Sequence, residues 1–361
     1  VTTDRESFWT ISPEHRYSDV ATDIIFRQPY NTLGYAFSFS FEKSYFASFS
    51  PLQMRIENNS NEIADAFTFD TTNYNNPRPL IEIRAGYTEL KIKNYIDRDF
   101  LKQELPLIYS GFPSYYNDSK TRGGRNLVIN LSDMHVVNLS GKLSRVTARY
   151  PAGMKITDVV IDLCNKLNVK YDVGQLVAVD NIADNTNTAL SAAAAGANAI
   201  FASGSPDISG ARLKNRTAIN DLWYNNRLIL TDVLPTLGRQ YGFYLTVYPD
   251  GTHVFLLSGV PAVGALIEVS ASTGLIEYPT MINWTHWTFQ TLFNAPACLY
   301  PGEWVKLRDP YFLRNEVTSK GDYVTGAIVS SHYQWSDSTA RCRYVLAPEG
   351  KPVESVPRLE Q

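Results

Sequence analysis

Among the residues able to do chemistry, the carboxylates come first: Asp97 and Asp99, Glu268 and Glu277, and Asp309 not far beyond Trp304. A glycosidase needs two carboxyl groups flanking a sugar-binding cleft. A carboxylate near a tryptophan on a strand is more often a surface group beside a core aromatic, and no spacing here selects a pair. The five histidines, His15, His135, His253, His286 and His332, show no HExxH or other metal-ligand spacing. His286 lies between Trp284 and Trp287, a pattern that fits a core or interface aromatic cluster better than a ligand. No GxSxG elbow or phosphate-binding glycine loop is present. Gly123 and Gly124, flanked by Arg122 and Arg125, could cradle a phosphate, but a hairpin turn accounts for them more simply.

The three cysteines, Cys164, Cys298 and Cys342, are widely separated and odd in number. They match no zinc spacing. Cys298 and Cys342 could pair, but three reduced, buried thiols in a cytoplasmically made protein are the expected state. Asn138, Asn215 and Asn283 open formal glycosylation triplets. The stretch from Val1 to Glu6 lacks the basic-then-apolar pattern of a signal peptide, so these triplets carry no weight. The expectation is a non-enzymatic protein with no catalytic, cofactor or metal residues.

Composition points the same way. The 361 residues exceed one core of ordinary size and suggest two or three domains. With 44% hydrophobic and 19% charged residues the chain is globular rather than disordered. A formal net charge of −3 does not advertise a nucleic-acid or anionic-membrane partner. No apolar run approaches the roughly 20 residues of a membrane helix, so no stable membrane insertion is expected. Aromatics reach 12%, with 22 tyrosines, which suits both strands and large half-hydrated interfaces.

The elements that would hold these residues are mostly strands. Tyr35–Phe41 alternates aromatic and small residues, and 52–57 and 80–85 repeat the period of two. Runs at 107–111 and 126–131 add two more strands, with polar turns at 58–61, 72–77 and 119–124. The middle changes character. Ile156, Val159, Val160, Leu163 and Leu167 have helical spacing, with Thr157 or Asp158 as first-turn cap. A second helix is expected over 228–241, its stripe formed by Leu230, Val233, Leu234, Leu237 and Tyr241, with Pro235 tolerated only in a first turn or at a kink. Pro249, Asp250 and Gly251 then mark a hairpin. Residues 174–218, Ala-, Gly- and Ser-rich in part, read as a flexible insertion that orders against a partner, with a solvent loop throughout as the alternative. Strands return at 266–270, 303–307, 323–330 and 343–346.

The two β regions echo each other. Ser110-Gly111, Tyr115-Tyr116, Asp118 and the arginines 122 and 125 parallel Thr325-Gly326, His332-Tyr333, Asp337 and the arginines 341 and 343, with small gaps. A duplicated barrel would let a trimer present six similar units in one ring.

With these segments in view, the chain resembles the baseplate central hub proteins of phage tails, of the T4-like and Mu-like kind. Leu80–Tyr87 followed by Leu105–Gly111 looks like their first barrel. Gly274–Thr280, Leu292–Pro296 and Leu299–Leu307 look like the second, and Ser331–Ser338 resembles a later turn in which the usual glycine is replaced. The resemblance covers roughly 20–347 apart from the insertion. It implies a homotrimer under the tail tube, contacting the central spike, the tube or tube-initiator protein, the tape-measure protein and, peripherally, baseplate wedge proteins. DNA would only pass through the lumen, and the site would be the virion, assembled in the host bacterial cytoplasm.

The expected fold class is mainly β with an α+β middle, two tail-tube-like β-barrels linked by a helix-containing domain. The expected boundaries are an N-terminal arm at 1–19, a first barrel at 20–150, a connecting domain at 151–260, a second barrel at 261–348 and a C-terminal arm at 349–361. The channel face should be polar and not strongly basic, since a basic lining would retain DNA. A receptor- or glycan-binding tail module is the alternative function, supported by the Tyr and Trp content.

Overall fold

The structure is a computed structural model. It describes residues 6–14, 24–28, 36–45, 51–57, 80–88, 106–121, 124–133, 145–178, 180, 217–257, 266–282, 286–293, 299–309, 322–336 and 339–348. Most of the 174–218 insertion, the turns at 58–61 and 72–77, and the C-terminal arm lie outside these residues.

The N-terminal half forms strands β1 (Glu6–Glu14), β2 (Ile24–Gln28), β3 (Ala36–Ser44), β4 (Leu52–Glu57), β5 (Leu80–Thr88), β6 (Leu107–Thr121), β7 (Gly124–Asp133) and β8 (Arg145–Tyr150). Period-two alternation is what builds them. In β4, Leu52, Met54 and Ile56 are buried while Gln53 and Arg55 face out, and in β3 Phe37, Phe39 and Phe41 take the inner face. Strand β1 covers part of the stretch expected to be an arm and pairs with both β2 and β5.

The middle contains α1 (Ile156–Leu167), β9 (Tyr171–Asp172), β10 (Leu222–Leu228), α2 (Leu234–Tyr241), β11 (Phe243–Val247) and β12 (His253–Leu257). The expected stripe of α1 is buried in full. Its cap differs from expectation: Lys155 is the N-cap residue and no side chain caps it, while Thr157 is buried in the first turn and Asp158 favours the helix N-terminus there only by its charge. The second helix also starts later. Leu228 ends β10, Ile229–Val233 form a π-helical turn, and α2 follows with Pro235 in its first turn, where no amide proton is needed. Gly242, at φ 86°, closes α2 in the left-handed region. The Pro249–Gly251 turn joins β11 and β12 in an antiparallel hairpin as expected. Strand β8 packs with these elements in a second core that includes Val146, Tyr150, the α1 stripe, Leu237 and Tyr241.

The C-terminal part adds β13 (Ile267–Val269), β14 (Thr280–Ile282), β15 (His286–Leu292), β16 (Trp304–Arg308), β17 (Tyr323–Ser336) and β18 (Thr339–Pro348). Antiparallel pairing of β17 with β3 joins both β regions into one 13-stranded sheet among the described residues. Their apolar faces form one core, in which Phe37, Phe39 and Phe41 meet Phe289, Phe293, Tyr333 and Tyr344. The fold is thus mainly β with a helical portion, as the sequence indicates.

The repeat is closer than the sequence match suggests. Strand β6 and β17, β7 and β18 correspond at a constant spacing of 215 residues: Gly111 with Gly326, Thr121 with Ser336, Gly124 with Thr339, Asp133 with Pro348. Each hairpin has a bulge at the same place, between Pro113 and Tyr115 in one and between Ile328 and Ser330 in the other. The gapped sequence match is therefore corrected: Tyr115 and Tyr116 correspond to Ser330 and Ser331, not to His332 and Tyr333. Shared backbone geometry, not shared polar side chains, defines the correspondence. Neighbouring strands follow suit. Strand β5 pairs Ile81 with Gly111 as β16 pairs Val305 with Gly326, and β4 pairs Gln53 with Asn130 as β15 pairs Thr288 with Val345. The order β3-β4-β7-β6-β5 recurs as β14-β15-β18-β17-β16.

Candidate polar face and sheet edges

The residues first singled out for chemistry do not converge. Asp97 and Asp99 lie outside the described residues. Glu268 on β13 is exposed, with Oε1 3.8 Å from Nη1 of Arg308, and Glu277 is exposed beyond the 3-10 turn Ala271–Thr273. Asp309 is buried just past β16, whereas Trp304 begins that strand, so the two sit at opposite ends of it. Among the described residues no three His, Cys, Asp or Glu side chains could share a metal ion, and no helix is long and apolar enough to cross a membrane.

The described histidines are core or half-buried groups. His286 is fully buried beside buried Trp287. His253 is also buried, its Nδ1 is 3.2 Å from the Gly251 carbonyl oxygen, and burial pulls its pKa down to about 4. Burial likewise lowers His332, with Arg343 adding to the effect. His15, His135, Trp284, Gly123, Cys298, Asn138, Asn215 and Asn283 lie outside the described residues. Gly124 opens β7 at φ 131°. Cys164 and Cys342 are buried.

What the sheet does assemble is a polar face. With the phenylalanines of β3 pointing inward, the alternate residues of seven strands line up on the other side. One row, set by the pairing registers, runs Arg341, Gln334, Ser40, Gln53, Asn130 and Tyr115 across β18, β17, β3, β4, β7 and β6. A second runs Gln290, Arg343, His332 and Glu42. Neighbours within and between these rows bond to each other. Gln53 Nε2 donates to Asn130 Oδ1 at 3.3 Å, and Arg341 Nη1 donates to Gln290 Oε1 at 3.3 Å. Arg55 pairs with Glu57 at 3.0 Å on the same side of the sheet. Charges of both signs are interspersed, so the face is polar without being strongly basic.

The middle elements are fastened to this sheet by aromatics that sequence reading did not single out. Tyr45 and Tyr244 rings lie 4.9 Å apart, and Tyr248 and Tyr300 rings 5.4 Å apart. Tyr244 packs with Val329, Val345 and Ala347, and Val329 is the extra residue of the β17 bulge. The Ser110 hydroxyl donates to the Pro249 carbonyl, and the Tyr300 hydroxyl donates to the Leu107 carbonyl at 3.2 Å. Gly302, at φ 99°, passes so near Leu256 that an added Cβ would lie 1.9 Å from its Cδ1. Beside it, Glu303 accepts from the Tyr300 amide at 3.2 Å, and burial raises its carboxyl to about 7. The high tyrosine content was the only sequence signal for this junction.

No family model and no curated protein matches the sequence. Solved structures do match the fold. The 43 kDa tail protein of prophage MuSo2 from Shewanella oneidensis aligns with a TM-score of 0.51 at 9% identity, over 95% of this chain and 100% of its own. The tail protein from Neisseria meningitidis MC58 aligns with a TM-score of 0.52 at 9% identity, over 96% and 98%. The chain therefore has a tail-protein fold along nearly its whole length. That fold agrees with the resemblance to phage baseplate hub proteins carried by Leu80–Tyr87 and Gly274–Thr280.

Proposed function

We propose that this protein is the structural hub of a phage tail baseplate. Three copies form a ring that adapts a six-fold tail tube to a three-fold central spike and surrounds the channel taken by DNA and the tape-measure protein. The observation that carries this reading is the recurrence of one five-strand order, β3-β4-β7-β6-β5 and β14-β15-β18-β17-β16, in a single chain joined edge to edge by β3 and β17. Two similar units per chain give a trimer six similar positions, which a six-fold partner can match while the whole particle stays three-fold.

The organisation that goes with it is a barrel at 20–150, a connecting domain at 151–260 and a second barrel at 261–348. The polar rows of Ser40, Gln53 and Asn130 line the channel, where mixed charge lets DNA pass without being held. The role is scaffolding rather than catalysis. Its partners are the spike, the tube or tube initiator, the tape-measure protein and wedge proteins, and its place is the virion tail.

Light scattering on the purified protein, alone and mixed with its spike, tests the reading. A mass near three times 40.6 kDa that captures the spike is expected. A lasting monomer that ignores the spike would overturn it. Trp223, 74% exposed on β10, favours a second reading as a glycan-binding tail module. Sugar binding lost in Trp223→Ala, together with a monomeric mass, is the outcome that would establish it.

A further inference from the structure

The two repeats share a backbone but not a surface. On the polar face, β15 and β18 of the second repeat correspond to β4 and β7 of the first, since Thr288 pairs with Val345 as Gln53 pairs with Asn130. Gln290 and Leu292 are thus the counterparts of Arg55 and Glu57, and Arg341 and Arg343 those of Asn126 and Val128. In the first repeat this corner balances its own charge, because Arg55 Nε lies 3.0 Å from Glu57 Oε1. The second repeat does not. Arg341 and Arg343 are both exposed, and among the described residues neither forms an ion pair; the bond of Arg341 goes to the neutral Gln290 side chain.

Aliphatic side chains lie beside these arginines. Leu292, 47% exposed, is opposite Arg341. Ile276, 46% exposed, is opposite Gln290, a position fixed by the bridge between Leu275 and Thr291 and by the bond from the Ile276 amide to the Gln290 carbonyl at 2.9 Å. Opposed residues share a face of the sheet. Ile276, Gln290 and Arg343 therefore form one row, and Leu292, Arg341 and Gln334 the next. Two acidic groups flank the corner: Glu277, next to Ile276 in the chain, and Glu42, two strands from Arg343 beyond His332.

An exposed aliphatic patch rimmed by polar groups marks an interaction site. Two guanidinium groups without acidic partners favour an anion there, and a carboxylate gains two parallel hydrogen bonds from such a fork. Leu292 and Ile276 decide between anions. A nucleic-acid backbone offers phosphate and sugar and leaves these side chains against water, whereas a protein segment covers them with aliphatic groups of its own. We infer that this corner is a docking site for a segment of another protein in which carboxylates stand beside aliphatic side chains. The site occurs once per chain although its backbone occurs twice, so a partner seated there distinguishes the two repeats. It is complete within one chain and does not depend on the ring.

The probe is a short fluorescein-labelled peptide alternating leucine pairs with glutamate pairs, titrated with the full chain and read by fluorescence anisotropy. Saturable binding that weakens as salt rises is expected. Arg341→Ala with Arg343→Ala should weaken it about tenfold or more, and so should Leu292→Ser with Ile276→Ser; all four residues are exposed. Arg55→Ala, at the corresponding corner of the first repeat, should leave binding unchanged, and a peptide with lysine for glutamate should not bind. No saturable binding of the leucine–glutamate peptide would overturn the inference, as would binding that both double variants retain. Tighter binding of an oligonucleotide, lost in the arginine variant and kept in the aliphatic one, would assign the corner to nucleic acid instead. An oligomeric mass that falls to monomer in Leu292→Ser with Ile276→Ser would assign it to a second copy of this chain.

Discussion

The ring of Phe41 on β3 stacks on that of Tyr333 on β17, with centroids 4.6 Å apart and 11° between the planes. Among the described residues this contact lies where the two β regions share a hydrogen-bonded pair of strands, and it is anchored, because the Tyr333 hydroxyl donates to the Leu299 carbonyl at 2.8 Å. Phe293 and Tyr344 meet Tyr333 edge-on around it.

Truncating the stack should therefore weaken both halves together. Phe41→Ala removes a buried aromatic and is expected to cost about 3–5 kcal/mol. Tyr333→Phe keeps the ring and leaves the Leu299 carbonyl one donor, the Ser331 hydroxyl at 2.6 Å, so its cost should be only about 0.5–1.5 kcal/mol. Denaturant unfolding followed by both fluorescence and circular dichroism checks this. Loss of stability in Phe41→Ala with one coincident transition is the expected result.

The two equivalent glycines make a paired prediction. A Cβ at Gly111 would lie 2.4 Å from the Ser132 carbonyl oxygen, and one at Gly326 would lie 2.2 Å from that of Ala347. Alanine at either site must push apart the hairpin it belongs to, so both variants should lose well over about 1 kcal/mol. Gly153→Ala is the contrast: its Cβ meets nothing within 4 Å, and only the φ of 87° opposes it, at about 1–2 kcal/mol. Thermal melts of the three variants should rank Gly153→Ala as mildest.

Two buried groups bend the pH dependence of stability in opposite senses. Burial raises Glu303 from 4.5 to about 7, so the folded state binds its proton more tightly and stability falls as pH rises through that window. Burial lowers His253 from 6.5 to about 4, so the unfolded state takes up the proton first and stability falls as pH drops from 6.5 towards 4. The two windows overlap, so unfolding free energy measured from pH 4 to 8 should be nearly flat between about pH 4.5 and 6.5, where the opposing slopes cancel. Glu303→Gln should unmask the His253 slope, with stability rising from pH 4 towards 6.5.

The thiols report on packing. Burial pushes Cys164 up to about 12, and Cys342 is buried in the shared core of both β regions. Alkylation in native buffer, read peptide by peptide in a mass spectrometer, should spare both, and added denaturant should expose both together. Native labelling of Cys342 would show that the joined core opens on its own.

Local order was legible in the residues. The period of two at 52–57, the stripe from Ile156 to Leu167 and the Pro249–Gly251 turn each specify their element through contacts a few residues away. The reach of β6 to Thr121 was not legible, because its polar far half carries no strong alternation and is held by its partner strand. Nor was the ungapped repeat, which lives in hairpin length, bulge position and the two crossing glycines rather than in matching side chains. Above all, the pairing of β3 with β17 joins segments far apart in the chain. Many strands present the same alternation, so period alone cannot choose between partners. Only the packing of Phe41 against Tyr333 and the shared core beneath them selects one partner and one register.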